Sequence, residues 1–239
     1  MIIKDFREIS DLICVVLFGS AARGDEDEFS DVDIFLLVEN VTQERIEEII
    51  ELVTKKLDYG NIGISLYRKD IYNQLLKEGS IFLWHLKYEG QIIYTKEDIA
   101  LYEGLQPFTN YNKNLETYKN LYIQTKKSLK CNGINAFDLS QLFFICRNIS
   151  LLSCFKLGFP TFGRLSVYSK LVECIGFPPL DWEKYIYLSE WRLNYKRGVG
   201  QKIEYPTEDK LLNLLEQIEM LISTCSNIIR YGGNNGDIK

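Results

Sequence analysis

The sequence predicts an α+β protein in two parts: a small mixed sheet flanked by helices over residues 1–106, followed by an all-α helical bundle over 107–231. Three observations carry that prediction. Short apolar runs rich in β-branched and aromatic residues occupy 12–18, 32–38 and 61–67, bounded by turn signals, as expected of strands buried in a sheet. A helical pattern at 42–57 separates the second and third of these runs. Beyond Pro107 the strand texture stops and long helical patterns take over.

The first two strands read Leu-Ile-Cys-Val-Val-Leu-Phe at 12–18 and Val-Asp-Ile-Phe-Leu-Leu-Val at 32–38. Within 42–57, Ile46, Ile49, Ile50 and Val53 recur at helical spacing, while Glu44, Glu47, Glu48 and Glu51 are left to water. Strand, helix and strand therefore follow one another. Amphipathic stretches at 70–77 and 80–88 lead through Glu89-Gly90 into a short strand, 91–94, expected in the same sheet. The bundle is expected to hold helices at 111–130, 136–157, 164–175, 180–197 and 207–230. Turn signals at Cys131-Asn132-Gly133, Gly158-Phe159-Pro160, Gly176-Phe177-Pro178-Pro179 and Tyr205-Pro206 separate them. The tail, 232–239, has nothing apolar to bury and is expected to fray.

The composition excludes several classes. With 239 residues, 46% of them hydrophobic, the chain can fill a core. A net charge of -5 argues against sequence-independent binding of long nucleic acid, which usually needs a basic excess. No apolar run approaches the roughly 18–20 residues that span a bilayer. No cleavable signal pattern follows Lys4, Asp5 and Arg7, so a cytoplasmic protein is expected. Cys14, Cys131, Cys146, Cys154, Cys174 and Cys225 show no CxxC spacing, and His85 is the single histidine. That argues against zinc and for reduced thiols packed as small hydrophobes.

The chemistry concentrates at residues 18–36. Asp31 and Asp33, two apart on an expected strand, project from one face and repel each other unless a cation lies between them. A hard divalent ion such as Mg2+ suits them, because it prefers oxygen and shares its shell with phosphates. Gly19, directly after a buried strand, allows a tight turn and close approach of a ligand. Ser20 adds a hydroxyl, and a short helix beginning at Ala21-Ala22-Arg23 would turn backbone N–H groups toward an anion.

Gly19-Ser20, ten residues from 21 to 30, then Asp31-Val32-Asp33: this pattern resembles the nucleotidyltransferase superfamily related to DNA polymerase β. The flanking GSAARG and SDVDIFLLV look most like its minimal and antibiotic-modifying branches, which often carry an appended, HEPN-like helical bundle. The resemblance implies that Gly19 and Ser20 bind the triphosphate of an NTP, with ATP the expected one. It implies that Asp31 and Asp33 are catalytic and hold Mg2+. A nucleoside monophosphate would pass to a hydroxyl acceptor with release of pyrophosphate, and Arg23 would help neutralise the phosphates. Active members usually add a third carboxylate from a following strand. The aligned position here carries Ser65, and Asp70, just past that strand, is expected to cap the next helix.

In the bundle, Arg147 lies within an apolar helix, Arg164 follows the turn at 159–163, and Arg192 precedes Tyr195 and Arg197 near a helix end. An arginine in an apolar stretch needs either a core carboxylate or a ligand phosphate, so these three are candidate acceptor or phosphate contacts. The histidine that HEPN ribonucleases place after their arginine is missing beyond Arg147, which argues against RNA cleavage by this half. His85 is expected to pack or to face solvent. Three functions stay open: transfer to a small hydroxyl compound such as an aminoglycoside or lincosamide; transfer to a protein hydroxyl or RNA end; or a non-catalytic nucleotide sensor or partner-binding protein, which leaves a protein partner open. The acidic run Asp25-Glu26-Asp27-Glu28 favours a cationic acceptor, though a solvated loop explains it equally. A homodimer stays open.

Overall fold

The computed structural model describes residues 5–26, 30–57, 59–96, 99–198 and 202–232. Asp27 and Glu28 of the acidic run, and 233–239 of the tail, lie outside the described residues. The chain divides into two compact units, Met1–Thr109 and Asn110–Lys239.

The first unit runs β1 (Leu12–Phe18), α1 (Gly19–Arg23), β2 (Val32–Val38), α2 (Gln43–Leu57), β3 (Ile62–Arg68), α3 (Lys69–Glu78), α4 (Ile81–Glu89) and β4 (Gln91–Thr95). Its four-stranded sheet has the order β3-β2-β1-β4. β1 pairs antiparallel with β2 and β4, whereas β2 and β3 are parallel. Parallel neighbours need a crossover, and α2 supplies it. All seven residues of β1 are buried because the strand is internal and both sheet faces are covered. On one face Leu12, Val15, Leu17, Ile34 and Leu36 pack with Ile49 and Val53 of α2. On the other, Val16, Phe18, Phe35 and Leu37 pack with Tyr72 of α3 and Leu83 and Leu86 of α4.

The second unit is a bundle of α5 (Tyr111–Asn132), α6 (Ala136–Lys156), α7 (Ser166–Ile175), α8 (Trp182–Arg197) and α9 (Glu208–Tyr231). α6 has no polar stripe, since residues around its whole circumference are buried, and it forms the bundle's axis. Its first turn is capped by Asn135, whose side chain accepts from the Asp138 amide at 2.9 Å. Tyr168 and Tyr185, both fully buried, stack with ring centroids 4.4 Å apart.

Two local expectations need correction. β2 starts at Val32, so Asp31 precedes the strand instead of lying in it. Asp70 is not the N-cap residue of α3, although its Oδ1 accepts from the Ile71 amide in the first turn at 2.8 Å. The helix starts at Lys69, straight out of β3, and Asp70 lies inside its first turn with its amide donating to Asn40 Oδ1 at 3.0 Å. The six cysteines are free thiols, with Cys14, Cys146, Cys154 and Cys225 buried. Burial pushes the Cys14 and Cys225 thiols up to about 12. Among the described residues no helix is long and apolar enough to cross a membrane.

Candidate active site

The site grows from the end of β1. The backbone leaves Phe18 extended and turns at Gly19, whose φ is 73°, into the single turn of α1. α1 closes at Gly24, also at φ 73°, where the Gly24 and Asp25 amides donate to the Ser20 carbonyl at 2.9 and 3.2 Å. Ser20 is half-buried at the start of this turn.

Asp33 faces the turn. Phe18 and Asp33 are partners in the β1–β2 register, which sets the carboxylate beside the residue after Phe18. A Cβ placed on Gly19 would overlap Asp33 Oδ2 and lie 3.2 Å from its Cγ. On the other side, Asp33 is in register with Gly63 of β3, and a Cβ there would stand 3.2 Å from Oδ1. The carboxylate therefore occupies space that two glycines leave open, Gly19 at the start of α1 and Gly63 within β3. Asp31 is held differently: Asn61 Nδ2 donates to its Oδ1. Both acids are half-buried and present hard oxygen donors, so they suit a hard divalent cation.

The register also shows which residue of β3 lies level with Asp33. Ser65 pairs with Phe35, so the β3 residue level with Asp33 is Gly63, two positions earlier. A side chain at 63 would share Asp33's face of the sheet, because parallel partners point the same way. Sequence reasoning passed over Gly63. Its signal was a glycine inside a strand run, which marks close approach by another group.

Arg23 is turned to protein carboxylates. Its Nη1 pairs with Glu89 Oε2 at 2.7 Å and its Nη2 with Asp25 Oδ1 at 3.1 Å. His85 Nε2 lies 3.1 Å from the same Glu89 oxygen, and its ring meets Phe18 edge-on at 5.7 Å. His85 thus packs, as expected, but within a polar network. Burial works to raise the Glu89 carboxyl, yet hydrogen bonds with His85 and Arg23 outweigh it and hold the group below its ordinary value. Gln91 was also missed; its Nε2 donates to the Ala22 carbonyl at 2.6 Å.

The bundle arginines belong to the second unit. Arg147 donates to the Phe162 carbonyl, and the Arg164 carbonyl accepts from Tyr185 Oη at 3.0 Å. Arg192 donates to Ser140 Oγ at 3.2 Å and lies over the Phe144 ring, 5.1 Å from its centroid. Burial lowers the Arg192 pKa, and the like charge of Arg147 lowers it further. Arg192 of α8 thus packs on α6, the helix that also carries Arg147.

Comparison with known proteins addresses the family. The family model described as "Polymerase beta, Nucleotidyltransferase" matches residues 1–99. A protein of Methanocaldococcus jannaschii, provisionally named a protein adenylyltransferase, is 38% identical over 86 residues, 32% of this chain and 87% of the relative. The solved structure of spectinomycin adenyltransferase from Enterococcus faecialis, with ATP and spectinomycin, aligns at 15% identity and a TM-score of 0.49. That alignment covers 90% of this chain and 92% of the other. With the family match on the sheet unit and a relative aligned over most of its own length, the chain belongs to the polymerase β-like nucleotidyltransferase superfamily.

Proposed function

We propose that the chain transfers a nucleoside monophosphate from a Mg2+-bound NTP, with ATP the expected donor, to a hydroxyl acceptor. The observation that supports this most directly is the apposition of Asp33 to Gly19: an acid and a side-chain-free turn share one small space at the start of β2. Asp31 and Asp33 would hold Mg2+, which neutralises phosphate charge when bound. Gly19 and Ser20 would lie against the triphosphate, the glycine allowing backbone approach and the serine hydroxyl donating. Among the described residues Gly63 leaves β3 without a carboxylate level with Asp33, so the chemistry rests on positioning and charge neutralisation by the two acids. Arg147, Arg164 and Arg192 remain proposed phosphate or acceptor contacts.

For the acceptor we propose a small cationic hydroxyl compound of aminoglycoside type. The exposed acid Glu26 next to α1 supports it, since carboxylates attract amines. A protein hydroxyl is the second reading, favoured by the name of the archaeal relative. Free thiols throughout the described residues suit a reducing, cytoplasmic setting where ATP and Mg2+ are at hand.

The test is to incubate the purified chain with α-labelled NTPs and Mg2+, alongside pooled aminoglycosides, candidate proteins and RNA. Label on a small molecule supports the first acceptor, and label on a polypeptide the second. Nucleotide binding that survives the Asp31→Asn, Asp33→Asn double substitution, with its Mg2+ dependence unchanged, would remove the site altogether.

A further inference from the structure

Three residues at one corner of the first unit form a unit of their own. Glu89 ends α4, Gln91 opens β4, and Gly90 joins them. Gly90 has no room for a side chain: a Cβ there would overlap the Leu86 carbonyl and stand 2.8 Å from Val16 Cγ1. The junction is thereby pressed onto β1, and Gln91 is in register with Leu17, two residues before Gly19. From this anchored junction both flanking side chains reach α1. Glu89 takes the Arg23 guanidinium, and Gln91 donates to the Ala22 carbonyl, a terminal group that the helix cannot satisfy internally. A five-residue helix has too few hydrogen bonds to hold itself, so its placement must come from such ties.

We propose that Glu89 and Gln91 are positioning residues for the Gly-Ser turn, Gln91 through the Ala22 carbonyl and Glu89 through Arg23, which acts as a brace and not as a ligand of the nucleotide phosphates. The inference rests on the nucleotide-binding reading of the turn. Four charged or titratable groups meet there: Arg23 and Asp25 at the end of α1, and His85 and Glu89 on α4. Arg23 lies between the two acids, so its charge is already balanced within the protein. Glu89 in turn is shared between Arg23 and His85, which fixes the carboxylate against Phe18's end of β1.

The two roles of Arg23 predict opposite effects of neutralising Glu89. The full chain is titrated with MgATP by calorimetry, with thermal melting of each variant used to correct for the folded fraction. As a brace, Arg23 is loosened by Glu89→Gln, which weakens MgATP binding about tenfold. Arg23→Gln weakens it by a similar factor, and the double variant is no worse than the weaker single one. As a phosphate ligand, Arg23 would be released by Glu89→Gln, so unchanged or tighter binding in that variant overturns the proposal. Should the native chain bind no MgATP, the nucleotide reading fails, and the brace is then read by amide exchange at Gly24 and Asp25, whose N–H groups close on the Ser20 carbonyl. Exchange about tenfold faster at both amides in Glu89→Gln supports it; unchanged exchange overturns it.

Discussion

Gly19 and Gly24 share the same φ of 73°, and their surroundings differ. Nothing lies within 4 Å of a Cβ placed on Gly24, whereas one on Gly19 overlaps Asp33. Gly24→Ala therefore reads the backbone cost alone, about 1–2 kcal/mol for a left-handed alanine. Gly19→Ala carries the same cost plus an overpacking contact of about 1–3 kcal/mol. Alanine also reduces the freedom of the unfolded chain by a few tenths of a kcal/mol or more, but that contribution is common to both variants and cancels in the comparison. The gap between them should close in an Asp33→Ala background, where the nearest remaining Asp33 atom is Cβ, at 3.3 Å. Urea titration followed by exchange of the β1 amides reads the first unit separately. If Gly19→Ala costs no more than Gly24→Ala, or if the gap persists without the Asp33 carboxyl, Asp33 does not face the turn and the proposed site is wrong.

Gly63→Asp should place a third carboxylate beside Asp33, lowering the melting temperature in EDTA by like-charge repulsion and raising the response to Mg2+ above that of the native chain; an identical Mg2+ response in both would contradict the register-based placement. Glu89 has a depressed carboxyl, so its contribution to stability is present above the ordinary value of 4.5 and is lost as pH falls through the lower folded-state value. Glu89→Gln should therefore flatten the melting-temperature profile on the acid side of 4.5, and a profile as steep as the native one would show that the group is not held as described. A maleimide reagent at neutral pH should modify Cys131 first and Cys174 more slowly, leaving Cys14, Cys146, Cys154 and Cys225 until denaturant is added; early labelling of Cys225 by peptide mapping would contradict its burial.

The legible parts of the fold were those whose residues carry their own period. β1 and β2 read as buried strands because both faces are apolar, and α2 read as a helix between strands because Ile49 and Val53 recur on one side. α1 was legible only as a conditional, since one turn has no period to detect and is placed by Gln91 and Glu89, about seventy residues away in sequence. That Gly63, two residues before Ser65, lies level with Asp33 was not legible. Register is set across strands, by the α2 crossover and the pairing of Val32 with Ile62, and no local signal reveals it. Asp70 was taken as a cap because acids commonly fill that position. The helix instead starts one residue earlier, where β3 runs straight into it.

Asp31 and Asp33 carry the same chemical group, but the protein restrains them by different means, and this bears on how each would act. Asn61 holds Asp31 by a hydrogen bond, a tie that another polar partner could replace. Asp33 is also closely packed against backbone: Gly19, directly after β1, and Gly63, the second residue of β3, leave the space that its carboxylate fills. A group confined before a cation arrives loses less entropy on coordination, which is the advantage of a preorganised ligand. Asp33 would then set where the ion is held, and Asp31 would complete its shell from the loop before β2. The site's geometry accordingly depends on Gly19 and Gly63 as much as on the two acids, although neither glycine has an atom that could bind metal through a side chain.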